Sequence, residues 1–120
     1  MDLMQKQGLF VVNLAKLILF ADSKKYVLTF GEAYRPPELA KLYAEDGRGV
    51  VNSLHTLRLA VDFNLFINGI YHTRSESFKP LGTYWKTLHE LNRWGGDFKD
   101  SKGRPKPDGN HFSMEHNGVK

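Results

Sequence analysis

Residues 57–66 read LRLAVDFNLF, and this alternation limits the possible folds more than any other stretch of the chain. Successive side chains of a strand point to opposite faces. Leu59, Val61, Phe63 and Leu65 therefore share one face, and Ala60, Asp62, Asn64 and Phe66 the other. Asn68 and Gly69 follow as a two-residue turn signal of the kind that closes antiparallel hairpins, with Ile70, Tyr71 and His72 returning. The chain is thus expected to be built on an antiparallel sheet. One strand carries a carboxylate, Asp62, on its less apolar face, where an unpaired charge is costly.

Helices are expected on either side of that strand. Residues 9–21, LFVVNLAKLILFA, fit an amphipathic helix that buries Phe10, Leu14, Leu17 and Ile18 and turns Asn13 and Lys16 to solvent. The run has no small-residue cleavage pattern after it and is too short to cross a bilayer, so neither a signal peptide nor membrane insertion is expected. Residues 26–30 form a short strand. A helix follows with Pro36 as an early residue, Leu39, Leu42 and Tyr43 as its apolar stripe, and an end between Gly47 and Gly49. Leu81, Tyr84, Trp85, Leu88 and Leu91 recur at helical spacing from Pro80 onward. Residues 95–110 are a long loop of glycine, proline, lysine and aspartate, and residues 111–114, HFSM, form a last short strand.

At 120 residues the chain makes one domain, 1–120. Hydrophobic residues make up 41% and charged residues 25%, as in a globular domain. The absence of cysteine excludes disulfides and thiolate metal sites, so any metal must be held by imidazole and carboxylate. Seventeen basic against thirteen acidic residues give a net charge of +4, which favours an anionic partner. Without a basic run or a stripe of basic and aromatic residues, no nucleic-acid partner is expected. The chain is expected to be a monomer.

The residue types with chemistry to offer lie in two distant stretches, NSLHTLRLAVDFN and KPDGNHFSMEH. His55 precedes the alternating strand, Asp62 lies seven residues on, and His111 opens the last strand. If the two strands are neighbours, two imidazoles and one carboxylate converge. Three such ligands with a fourth position left to water are the pattern of a catalytic zinc site. The same residues also fit a plainer reading, as polar groups at strand and loop ends satisfied by hydrogen bonds. Asp108, three residues before His111, has the reach of a general acid or base. Arg35 is the first candidate to hold an oxyanion or carboxylate, and Arg58 the second. Ser53 is a turn-capping hydroxyl. Glu115 and His116 are candidates to orient a ligand, while His72 and His89 read as hairpin and boundary residues.

These stretches resemble the M15 family of zinc peptidases, which includes D-alanyl-D-alanine carboxypeptidases and phage L-alanyl-D-glutamate endopeptidases. The resemblance rests on Ser53-x-His55, Ala60-x-Asp62, Asp108 three residues before His111, the segment AYRPPELAKLY around Arg35, and Trp94-Gly95-Gly96, which is similar to the motif closing the family's long helix. It implies a small single α+β domain with an antiparallel sheet carrying the zinc site and flanking helices. It implies His55, Asp62 and His111 as ligands of one Zn2+, Asp108 as catalytic acid or base, Arg35 as substrate or oxyanion contact and Ser53 as support of the site; Arg58 and Trp94 are further candidates for support or substrate contacts on their positions alone. Family members commonly carry Gly where this chain has Arg58, and Glu where it has Ser113.

The implied partner is the peptidoglycan stem peptide, with the 95–110 loop bordering the cleft. The implied role is an endolysin-type L-alanyl-D-glutamate endopeptidase of a phage or prophage, made in the host bacterial cytoplasm and acting at the cell wall after release. D-alanyl-D-alanine carboxypeptidase is the alternative within the family. A metal-dependent nuclease and a noncatalytic wall-binding domain are the alternatives outside it.

Overall fold

In the computed structural model, which describes residues 1–47 and 52–120, three α-helices surround a five-stranded antiparallel sheet. The first helix, α1 (Leu3–Ser23), is started by Asp2, whose carboxylate accepts from the Gln5 amide at 2.8 Å while the Gln5 side chain accepts from the Asp2 amide at 2.9 Å. Strand β1 (Tyr26–Phe30) leads to α2 (Pro37–Glu45), where Pro36 sits just before the first turn and Pro37 within it. The 3₁₀ turn Leu54–Leu57 delivers the chain into β2 (Ala60–Ile67). Asn68 and Gly69, with φ of 53° and 76°, then make the expected turn into β3 (Ile70–His72). A second 3₁₀ turn, α3 (Lys79–Leu88), β4 (Asn92–Trp94) and β5 (His111–Met114) complete the chain.

The sheet order is β1-β2-β5-β4, with β3 paired to the far end of β2. The register places Asp62 opposite His111 and Val61 opposite Phe112. As the alternation predicts, Leu59, Val61, Phe63 and Leu65 are buried, while Asp62, Asn64 and Phe66 are only partly covered. Phe112 and Phe63 meet in the core, and the Trp85 ring packs edge-on against both Phe10 and Phe112. The indole nitrogen of Trp85 donates to the carbonyls of Arg93 and Ser113, at 3.0 and 3.1 Å, which ties α3 to the strands beneath it.

Three expectations are corrected. The buried seam of α1 runs through Phe10, Asn13, Leu17 and Ala21, so Asn13 faces inward and Ile18 outward. The helix is apolar on two opposite faces: Met4, Val11, Val12, Ile18 and Leu19 are all exposed, and hydrophobicity alone does not say which face turns in. Extending the apolar run to 21 residues also makes α1 long and apolar enough to cross a membrane by length and composition, although its other face is packed in the core. Finally, Trp94 does not close a long helix. His89 turns extended at the end of α3 and its ring nitrogen accepts from the Leu91 amide at 3.0 Å, so Trp94 lies on β4. The end of the second helix is at Glu45, with Gly47 at φ 74°; Gly49 lies outside the described residues.

Candidate metal centre

His55, Asp62 and His111 converge from the 3₁₀ turn, β2 and β5, with one potential ligand atom from each lying within 4.8 Å of the others. Each is held by local structure. The Ser53 hydroxyl caps the 3₁₀ turn by accepting from the His55 amide at 3.2 Å, and the Arg35 amide donates to the His55 carbonyl at 3.1 Å. Asp62 is pinned through its backbone: its amide donates to the Glu32 carbonyl at 2.7 Å, and its carbonyl accepts from Gly31 at 2.8 Å. The His111 amide donates to the Asp108 carbonyl at 3.0 Å, and Phe98 packs beside the His111 ring.

The imidazoles are presented in defined orientations. Nδ1 of His55 donates to the Ala33 carbonyl at 2.9 Å, which fixes the proton there and leaves Nε2 as the free lone pair, 3.4 Å from Asp62 Oδ2. His111 Nδ1 stands 3.1 Å from Asp62 Oδ1, while its Nε2 is buried with no hydrogen-bond partner. Ligands about 2.0–2.1 Å from one tetrahedral ion stand about 3.3 Å apart, close to both imidazole–carboxylate separations. The donor set, two imidazole nitrogens and a carboxylate at these separations, fits a divalent metal.

The electrostatics are those of a tightly coupled trio. Burial raises the Asp62 carboxyl, but hydrogen bonds and charge from His111 and His55 outweigh it and bring the pKa down to about 2. Burial lowers the His55 imidazole, but its contacts with Asp62, helped by the Ala33 carbonyl and the charge of Glu32, raise it above 6.5 overall. Asp108 moves the opposite way to Asp62. Partial desolvation pushes its carboxyl up and the negative charge of Asp62 adds to this, while His111 and His55 pull in the other direction.

The loop carrying Asp108 is fastened at several points. The Asp108 amide donates to the Gly95 carbonyl at 2.8 Å, Gly109 donates to the Ser75 hydroxyl at 2.9 Å, and the Trp94 indole donates to the Gly109 carbonyl at 2.7 Å. Asp108 borders two cavities, of about 960 and 280 Å³. The 95–110 stretch is more ordered than its composition predicts. Lys99 bridges to Pro105, and the Asp100 carboxylate gathers the amides of Lys102 and Arg104 at 2.9 Å each.

The remaining candidates fall into two groups. Arg35 is near the centre but engaged: its guanidinium pairs with Glu32, whose carboxylate stands 3.7 Å from His55 Nδ1, and it also lies over the Tyr43 ring. Arg58 is exposed and lines neither cavity, with its guanidinium over Tyr34, 4.0 Å from the ring centre, and φ of 56°. Glycine adopts that left-handed conformation without strain, which explains the Gly common at this position in the resembled family. Trp94 is buried in the wall of the larger cavity. Glu115 and His116 pair instead with Arg93 and Lys6, and His72 with Ser77. Sequence proximity already offered Glu32 as a partner for Arg35, whereas the Ala33 carbonyl had no signal, since a backbone acceptor leaves no trace in residue type.

Residues 46–114, more than half of the chain, match the M15 peptidase family model described as D-alanyl-D-alanine carboxypeptidase. Among solved structures, that of the Serratia marcescens L-Ala D-Glu endopeptidase ChiX has the same fold, with a TM-score of 0.60 at 18% identity. The match covers 73% of this chain and 66% of that one, so the chain spans just under two thirds of its structural neighbour. No curated protein matches the sequence.

Proposed function

The chain belongs to the M15 peptidase family, and on that premise we propose that it is a zinc-dependent hydrolase of peptidoglycan stem peptides, acting as an L-alanyl-D-glutamate endopeptidase. The observation that carries the proposal is the convergence of His55, Asp62 and His111 beside a carboxyl, Asp108, whose pKa is raised. The three ligating residues would hold the ion, which when bound supplies Lewis-acid polarisation of a carbonyl and lowers the pKa of water. Asp108 takes a proton from the attacking water and returns it to the departing amine, a task helped by a carboxyl raised above its ordinary value. Ala33 and Ser53 keep His55 in the ligating tautomer and position. Arg35, tethered through Glu32, keeps a positive charge next to the centre to hold a substrate oxygen.

The endopeptidase mode is favoured over the carboxypeptidase mode because Asp108 has open space on two sides, in the larger and the smaller cavity. An endopeptidase must admit peptide beyond the scissile bond on both sides. The biological reading is a lytic enzyme that reaches the wall after release from the cytoplasm where it is made.

The test is digestion of defined muropeptides with mass analysis of the products. Release of L-alanine-terminated and D-glutamate-initiated fragments, abolished by a chelator and restored by zinc, is the expected result. Release of terminal D-alanine alone moves the enzyme to the carboxypeptidase mode. Undiminished cleavage in the thoroughly chelated protein removes the metal from the proposal, and nicking of plasmid DNA under the same conditions points to a nuclease.

A further inference from the structure

The larger cavity has a charge that the metal centre does not use. Its lining includes five basic and three acidic side chains. Two of the cations are spoken for: Lys86 pairs with Asp97 at 2.7 Å, and Arg93 with Glu115 at 3.3 Å. Lys120, at the chain's end, makes no ion pair among the described residues, and neither do Lys99 and Lys106, although Lys106 lies near enough to Asp100 to help lower its carboxyl. Lys99 and Lys106 stand on neighbouring rungs of a short ladder, in which Lys99 bridges to Pro105 and the Lys106 amide donates to the Phe98 carbonyl at 2.8 Å, and both line the cavity. Phe98 in turn touches the His111 ring, so this ladder reaches from the metal centre to the cavity wall.

The position of the cavity gives the charge a direction. Asp108 lines the cavity, Phe98 joins the same wall to His111, and in the reading above Asp108 hands the proton to the departing amine. Of the two cavities that Asp108 borders, the larger is lined by lysines and the smaller by no Lys or Arg, so the larger suits a leaving-side residue that carries negative charge. When the bond lies between L-alanine and a γ-linked D-glutamate, the residue that supplies the amine keeps a free α-carboxylate on the carbon bearing that amine.

We propose that the cavity bordered by Lys99, Lys106 and Trp94 is the subsite for the leaving-side residue and selects it by its free α-carboxylate. The enzyme then discriminates D-isoglutamate from D-isoglutamine stem peptides. This inference rests on the peptidase reading but concerns a different property, the charge preference on one side of the bond.

The experiment compares L-Ala-γ-D-Glu-L-Lys with the same peptide amidated at the glutamate α-carboxyl, using the zinc-loaded protein. At low ionic strength the acid should be cleaved with about tenfold higher kcat/KM, and the preference should shrink as salt screens the lysines. In the Lys99→Gln/Lys106→Gln double variant the acid-to-amide ratio should fall to about twofold or below, since two exposed charges account for roughly that much selectivity. Cleavage of both peptides at equal rates by the unaltered protein overturns the inference and leaves the peptidase reading in place, as does an undiminished ratio in the double variant. Calorimetric binding of the same two peptides to a hydrolysis-deficient Asp108→Asn protein reads the preference without turnover. If neither peptide is hydrolysed by the unaltered protein, acid-selective binding that the lysine variant loses sustains the subsite, and equal binding removes it.

Discussion

Asp62 stands directly opposite His111 in the β2–β5 ladder, and its carboxylate lies 3.1 Å from the His111 ring while its other oxygen lies 3.4 Å from His55. One side chain therefore holds both imidazoles in place. Its removal is expected to do more than delete one ligand.

Asp62→Ala should abolish metal binding and activity together, and destabilise the metal-free protein by about 3 kcal/mol, because it strands two buried imidazoles. Metal analysis alongside denaturant unfolding checks this. A variant that keeps stoichiometric metal would remove Asp62 from the ligand set.

Asp108→Asn separates proton transfer from metal binding. Zinc content should be unchanged while kcat falls about 10²- to 10⁴-fold, whereas His111→Ala should lose zinc and turnover alike. Undiminished turnover in Asp108→Asn would reassign the acid and base roles.

The pH dependence of the metal-free protein follows from the shifts of two groups. Asp62 has a folded pKa of about 2 against an ordinary 3.8, so its contribution, on the order of 2 kcal/mol, is complete above the ordinary value and is lost as pH falls through the folded one. His55 is raised above 6.5, so its contribution is complete below 6.5 and is lost as pH rises through the folded value. Chelated protein should therefore be most stable between about pH 4 and 6.5. Zinc binding, which needs neutral imidazole, should strengthen as pH rises. Thermal unfolding across pH 3–9 with and without zinc tests both signs.

Gly95→Ala probes how tightly the loop carrying Asp108 is clamped. A Cβ at this position would collide with the Asp108 carbonyl and approach the His111 Cβ to 2.9 Å. The variant should lose about 1–3 kcal/mol of stability and a larger share of activity, because the displaced group is Asp108 itself. Full activity with unaltered stability would mean that the loop position is not critical.

Arg58 tests two opposing effects. Replacement by Gly relieves the left-handed backbone, worth about 1 kcal/mol, but forfeits a cation–π contact with Tyr34 of about 0.5–1 kcal/mol. Arg58→Gly should therefore be nearly neutral, while Arg58→Ala keeps the strain, loses the contact and should unfold more readily. If the alanine variant is as stable as the parent, the contact with Tyr34 carries no weight.

Much of this architecture was legible in the sequence because it is written in periodicity. The two-residue period of β2 fixed which face is buried, and Asn68-Gly69 fixed the hairpin. The expectation that His55, Asp62 and His111 converge if their strands are neighbours is met by the β2–β5 register. The orientation of α1 was not legible, since an apolar helix face looks the same whether it meets the core or solvent. Nor was the end of α3, where Leu91 continues the helical spacing after the helix has stopped at Leu88. The Ala33 carbonyl and the order within residues 95–110 depend on backbone geometry that residue type does not encode.

β5 is paired on both sides, by β2 and by β4. Fraying begins at edges and termini, so amide protons in this interior strand should be among the slowest to exchange with deuterated solvent. An ion held by His111 is therefore anchored to one of the last parts of the molecule to open. If the proposed ion is bound there, its departure would leave the doubly paired strand intact, and its return would not require the sheet to refold.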